Sequence, residues 1–119
     1  MNTNSIEKIN NYLFKYPYFE FEIDEFNGQD LHISGGTNLP TKIDIQIIFK
    51  NVFHLNLNKE WKSDPKVGLI ELASGKEEYD YNKLYYIEQG HNLYKIIPSH
   101  TGNVSFYVAA KEVELLINI

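Results

Sequence analysis

The sequence predicts an α+β, β-rich fold: an N-terminal helix followed by seven to nine antiparallel strands forming a sandwich or partly open barrel. Three observations carry this. Ile6, Ile9, Leu13 and Tyr16 recur at helical spacing at the start of the chain. Beyond Pro17 the period drops to two, beginning with Phe19, Phe21 and Ile23. The later apolar runs are short and separated by turn-forming segments, as in an antiparallel sheet.

Asn4 with Glu7 makes an Asn variant of the capping box, and Pro17 stops the helical pattern that follows it. Glu20, Glu22 and Asp24 alternate with Phe19, Phe21 and Ile23, which describes a half-buried strand with an acidic outer face. Asn27-Gly28 marks a hairpin. A two-residue loop there would pair Ile23 with His32 and mix apolar and polar groups on one face, so the register must shift by one. A loop of Phe26 to Gly28 pairs Ile23 with Leu31 and Phe21 with Ile33; a loop of Asn27 to Gln29 pairs Asp24 with His32. Both remain open.

"SGGTNLPT" reads as a loop whose glycines serve a wide turn with positive backbone angles. Ile43, Ile45, Ile47 and Phe49 then form one strand, and Phe53, Leu55 and Leu57 another beyond Lys50-Asn51. "NKEWKSDPK" is turn-rich, with Trp61 at the rim of the core. Further strands are predicted over Val67 to Leu72, Leu84 to Glu88, Leu93 to Ile97 and Val104 to Ala110, followed by "VELLINI". Phe106, Val108 and Ala110 share one parity and Val113, Leu115 and Ile117 the other, which demands a bulge or tight turn near Lys111-Glu112.

A chain of 119 residues suits one core, so residues 1–119 are read as a single domain. No apolar run approaches the roughly 20 residues that span a bilayer. The N-terminus lacks the basic start and apolar block of a secretory signal, and cysteine is absent. A cytoplasmic protein with no membrane contact is expected.

All eleven basic residues are Lys, against sixteen acids, for a net charge of −5. Without Arg, whose planar fork reads phosphates and base edges, nucleic acid is not an expected partner. The charge is also unevenly spread. Between Lys15 and Lys42 there is no Lys, while Glu20, Glu22, Asp24, Glu25 and Asp30 supply five negative charges; the remaining eleven acids are balanced by the eleven Lys. Those five residues are the first candidate for a partner-binding surface, since complementary charge speeds encounter and sets specificity. Glu77, Glu78, Tyr79, Asp80 and Tyr81, in the tyrosine-rich segment from Lys76 to Gln89, are the second, because tyrosine is favoured at interface centres.

Asp30, His32 and Ser34 alternate along a strand in the order acid, base, nucleophile. A Ser on a flat strand has its amides committed to the ladder, so no catalytic residue is assigned. His32, His54, His91 and His100 lack metal-site spacing, and "SGGT" does not open a helix as a phosphate loop would. No metal or cofactor is expected.

"IDIQIIFKNVFHLNL" and "FYVAAKEVELLINI" resemble segments of small uncharacterised bacterial proteins, including some grouped as immunity proteins of polymorphic toxin systems. The likeness is one of strand pattern, and no functional residue transfers from it. It implies a small cytosolic binder that neutralises a toxin, often acidic when the toxin is a basic nuclease. The expectation is therefore a non-enzymatic cytosolic protein-binding domain, an immunity protein that neutralises a basic toxin domain through an acidic surface. Two alternatives stand beside it: a small-molecule-binding or enzymatic β-barrel, and a structural subunit self-associating through an edge strand such as the C-terminal one.

Overall fold

Ile6, Ile9 and Leu13 lie on one side of α1 (Asn2–Leu13) and are buried, so this short helix is held by its apolar face rather than by intrinsic propensity. The computed structural model describes residues 2–16, 18–39, 41–63, 70–98 and 105–117, with the backbone alone for residues 2–4. Asn4 is already helical rather than a cap; its side chain lies outside the described residues, as do Pro17, Val67 to Leu69, His100 and Val104.

Seven strands follow among the described residues: β1 (Phe19–Phe26), β2 (Leu31–Gly36), β3 (Ile45–Asn56), β4 (Glu60–Ser63), β5 (Ile70–Leu72), β6 (Asn92–Ile96) and β7 (Phe106–Ile117). A second helix, α2 (Gly75–Leu84), stands between β5 and β6. All pairings are antiparallel and form one curled, half-barrel sheet in the order β4-β1-β2-β3-β7-β6-β5. No helix among the described residues is long and apolar enough to cross a membrane.

Several details depart from the sequence reading, each for a local reason. The β1–β2 loop runs from Asn27 to Asp30, because the Asn27 side chain accepts the amides of Gln29 at 2.9 Å and Asp30 at 2.8 Å. Phe26 therefore pairs with Leu31 and Glu25 with His32, and a bulge at Asp24 restores Ile23 opposite Ile33. Neither three-residue loop forms, although Gly28 does take the positive φ expected of it. Gly35 and Gly36 belong to β2 and are not in the left-handed region. A Cβ on Gly35 would meet the Phe21 ring at 2.9 Å, and one on Gly36 the Lys42 carbonyl at 2.7 Å, so close approach explains both.

The runs around Phe49 and Leu55 are one strand, not two, and the turn-rich "NKEWKSDPK" contributes β4, which buries Trp61 against Phe21 and Phe106. Leu84 to Glu88 is not a strand: Leu84 ends α2, and the chain then turns. The C-terminal β7 lies between β3 and β6 over Phe106 to Ala110, and beyond Ala110 it keeps β3 alone as a strand partner among the described residues.

Alternation sorts the side chains into two layers. Phe21, Ile33, Ile47, Phe49, Tyr94 and Val108 point inward and meet α1 in the main core. Ala73, Leu93 and Ala109 point the other way, under Tyr81, Ile87 and Tyr107. Thus α1 fills the inside of the curl and α2 rests on its outside.

Of the two sheet edges, β5 is closed by a side chain. Asn10 Nδ2 donates to the Ile70 carbonyl at 2.9 Å and Asn10 Oδ1 accepts the Ile70 amide at 3.2 Å, so one carboxamide stands in for a neighbouring strand. Asn10→Ala leaves both groups of the buried Ile70 unpaired, and urea unfolding is expected to show a loss of about 1–3 kcal/mol. Asn10→Asp, which keeps the acceptor but sets a carboxylate beside the carbonyl, should not recover that loss; an unchanged midpoint in both variants would contradict the bridging role.

Candidate functional site

Glu20, Glu22, Asp24 and Glu25 stand on the outer side of β1, where the bulge brings Asp24 round to accept a hydrogen bond from Gln46 Nε2 at 3.3 Å. The neighbouring strands decide how much of this charge is spent internally. Lys62 on β4 lies opposite Glu20, at 4.0 Å, and Glu20 also accepts the Leu39 amide at 3.2 Å. Glu22 fares differently, because its partner on β4 is Glu60 and on β2 is Ser34. Like charges directly across a ladder destabilise it. Among the described residues no cation lies within ion-pairing distance of Glu22, Glu25 or Glu60.

Glu20, Glu22 and Glu60 line an open groove of about 380 Å³ with Leu39, Trp61 and Lys62. The groove joins carboxylates to the apolar wall of Leu39 and part of Trp61, a lining suited to a long cationic side chain whose stem is apolar. Glu60 was not a candidate from sequence, since its segment read as a turn; only the strand pairing sets it beside Glu22. By contrast Asp30 stands apart from this group. Its carboxylate accepts the Asn51 amide at 3.0 Å and lies 3.9 Å from Lys50, holding the β1–β2 loop against β3.

The Asp30, His32 and Ser34 series does not assemble. Asp30 is engaged with β3, and Ser34 is fully buried with its Oγ unpartnered. A nucleophile needs a neighbouring base and access to substrate, and Ser34 has neither.

The second candidate segment is helical, which sorts its members by face. Glu77 turns toward the sheet, where Tyr107 Oη donates to it at 2.8 Å and Lys95 Nζ sits at 2.9 Å. These two contacts, Lys95 first, hold the Glu77 carboxyl below the usual range. Burial, and then the bond to Glu77, pushes the Tyr107 hydroxyl up to about 12. Tyr81 packs on the Tyr107 ring and shares a 2.9 Å hydrogen bond with His54, whose ring also lies 4.5 Å from that of Tyr85. Tyr79 remains exposed and Glu78 half-buried, and Asp80 pairs with Lys76 at 2.6 Å.

The interior offers little room. The void lined by Leu13, Phe21, Ile33, Phe49, Trp61 and Ile96, among others, measures about 10 Å³, roughly the least that one water needs. No group of three or more potential ligand side chains among the described residues could hold a metal ion. Comparison of the chain with protein-family models, with curated proteins and with solved structures returned no match.

Burial lowers the pKa of His54 from its ordinary 6.5, so the folded protein holds this imidazole neutral where the unfolded chain would protonate it. Stability linked to His54 is complete above pH 6.5 and declines as pH falls from there through the folded value. An NMR titration should place the His54 midpoint below 6.5, and His54→Phe should remove that part of the acid-side slope. A midpoint at or above 6.5 would contradict the packing described for α2.

Proposed function

We propose that this protein is a non-enzymatic, cytoplasmic protein-binding domain whose acidic outer face on β1 and β4 meets a basic protein surface. The observation that carries the reading is the Glu22–Glu60 pair. Two carboxylates face each other across a ladder, beside Glu20 and Glu25, where a Lys at either position would favour the fold. A basic partner supplies the missing cations, and the groove between Leu39 and Lys62 gives one of them a seat.

The chain's likeness in strand pattern to immunity proteins fits this reading: the partner is a basic toxin domain that the protein neutralises by covering it. An interior void of about 10 Å³ weighs against the ligand-filled barrel, because small organic ligands need a few hundred Å³. Self-association by edge pairing is disfavoured at β5, whose Ile70 backbone groups are occupied by Asn10.

The test replaces Glu22, Glu25 and Glu60 together by Gln, three residues that make no described ion pair, so that folding is spared. In capture from the source lysate at low and high salt, the wild type should retain a basic protein at low salt and release it as salt rises, and the triple variant should lose it. Equal capture by both proteins, or capture indifferent to salt, would remove the stripe from the account.

A further inference from the structure

The β1–β2 loop carries a chemistry that the acidic stripe does not use. Of the chain's asparagines, only Asn27 is followed by glycine. An asparagine side chain is open to attack by the backbone nitrogen of the next residue, which closes a succinimide ring; a side chain on that residue obstructs the approach, and glycine has none. Asn27 and Gly28 are both exposed, and no atom lies within 4 Å of the position that a Cβ on Gly28 would take. Among the described residues none accepts a hydrogen bond from the Gly28 amide, so the attacking nitrogen is not engaged elsewhere.

The loop also holds the atom on which charge develops. Asn27 Oδ1 accepts the Gln29 amide at 2.9 Å and the Asp30 amide at 2.8 Å. When the Gly28 nitrogen adds to Asn27 Cγ, Oδ1 becomes an oxyanion, and two backbone N–H groups are already aimed at it. Asn51, at the same corner of the sheet, provides a contrast. The residue after it is the β-branched Val52, whose amide is committed to the Gln29 carbonyl at 2.7 Å.

We propose that the β1–β2 loop promotes its own deamidation, which makes Asn27 a covalent modification site whose only co-reactant is water. Hydroxide removes the Gly28 amide proton and the nitrogen bonds to Asn27 Cγ; the Cγ–Nδ2 bond then breaks, and Nδ2 takes a proton from water and leaves as ammonia. Water opens the ring, and nothing is oxidised or reduced. Cleavage of the new Cγ–N bond gives aspartate on the ordinary backbone. Cleavage at the main-chain carbonyl leaves Gly28 attached through Cγ, an isoaspartate whose backbone is longer by one carbon. Either product adds a carboxylate between Glu25 and Asp30 in the chain. The aspartate still accepts the Gln29 and Asp30 amides and keeps the loop, whereas the isoaspartate loosens the corner that Asp30 and Gln29 make with Asn51 and Val52. The modification depends on the loop alone and stands whether or not the acidic face has a partner.

Peptide mass spectrometry of the full chain, aged at mildly alkaline pH both folded and unfolded in guanidinium chloride, tests it. Conversion is read at Asn27 as the mass difference between an amide and an acid, with aspartate and isoaspartate separated by retention. One oxyanion-hole donor is worth about 100-fold or more in a dry active site; with water competing at an exposed loop, the folded chain should convert about tenfold faster than the unfolded one. In the folded protein Asn51 should stay an amide over the same period. Asn27→Asp should gain no mass and should retain slow exchange of the Asn51 amide, while the isolated isoaspartate form should lose that protection. The comparison of folded with unfolded wild type needs no variant to fold. A folded chain that converts at the unfolded rate or more slowly overturns the proposal, because the loop would then leave Asn27 indifferent or shield it. Conversion of Asn51 as fast as that of Asn27 overturns it too, since the geometry of the loop would then select nothing.

Discussion

The pairing of β3 with β7 is the constraint on which the rest of the molecule depends. Each strand has twelve residues, about 40 Å of chain, which matches the long dimension of 39 Å. Over that length both strands change the face they turn inward, and they do so at the same level. Phe49 opposite Val113 points into the core, and so does Val52 opposite Ala110, three residues further along each chain rather than two or four. Asn51 allows this by taking a φ of 53°, a conformation that Asn tolerates better than most residues. The β1–β2 loop fixes the corner: Asp30 accepts the Asn51 amide, and the Gln29 carbonyl accepts that of Val52 at 2.7 Å.

This change of face places the two helices. Beyond the corner a further bulge leaves Phe53 as the extra residue and pairs His54 with Ala109 on the outer side, where Tyr81 and Tyr107 meet them and α2 comes to rest. On the inner side α1 packs against β7 and β5. With one helix inside and the other outside toward β6, the outer side of β1 and β4 carries no helix among the described residues. The distribution of charge follows this division. Acids at Glu20 and Asp30 are drawn into ion pairs that brace the frame, while Glu22, Glu25 and Glu60 are left facing solvent.

Much of this was legible in the sequence. The spacing of Ile6, Ile9 and Leu13 identifies α1, and the alternation from Phe19 identifies β1 with its acidic outer side. The shared parities on either side of Lys111-Glu112 announce the change of face in β7, although the strand bends through it without a turn. What escaped were features set by distant partners. Nothing local marks Asp24 as a bulge, since the register depends on how Asn27 folds the loop and on what faces β1 from β2. Glu60 gains its meaning only from lying opposite Glu22. The strand expected from Leu84 to Glu88 rested on an apolar run, yet Ser74 followed by Glu77 and Glu78, with Lys83 in the last turn, is a helix signal in the same segment. The apolar side chains of that run serve the end of α2 and the surface beside it.

Cross-strand proton contacts in solution would examine the coordinated change of face most directly. The account predicts contacts between Phe49 and Val113, between Val52 and Ala110 and between Leu55 and Val108, with slow amide exchange at Asn51 and Val52. In Asp30→Ala the Asn51 amide should exchange fast while the Phe49–Val113 contact persists. Leu55 facing Tyr107 would remove the bulge at Phe53, and an unprotected Asn51 amide would remove the corner; the two together would contradict the change of face and with it the placement of α2.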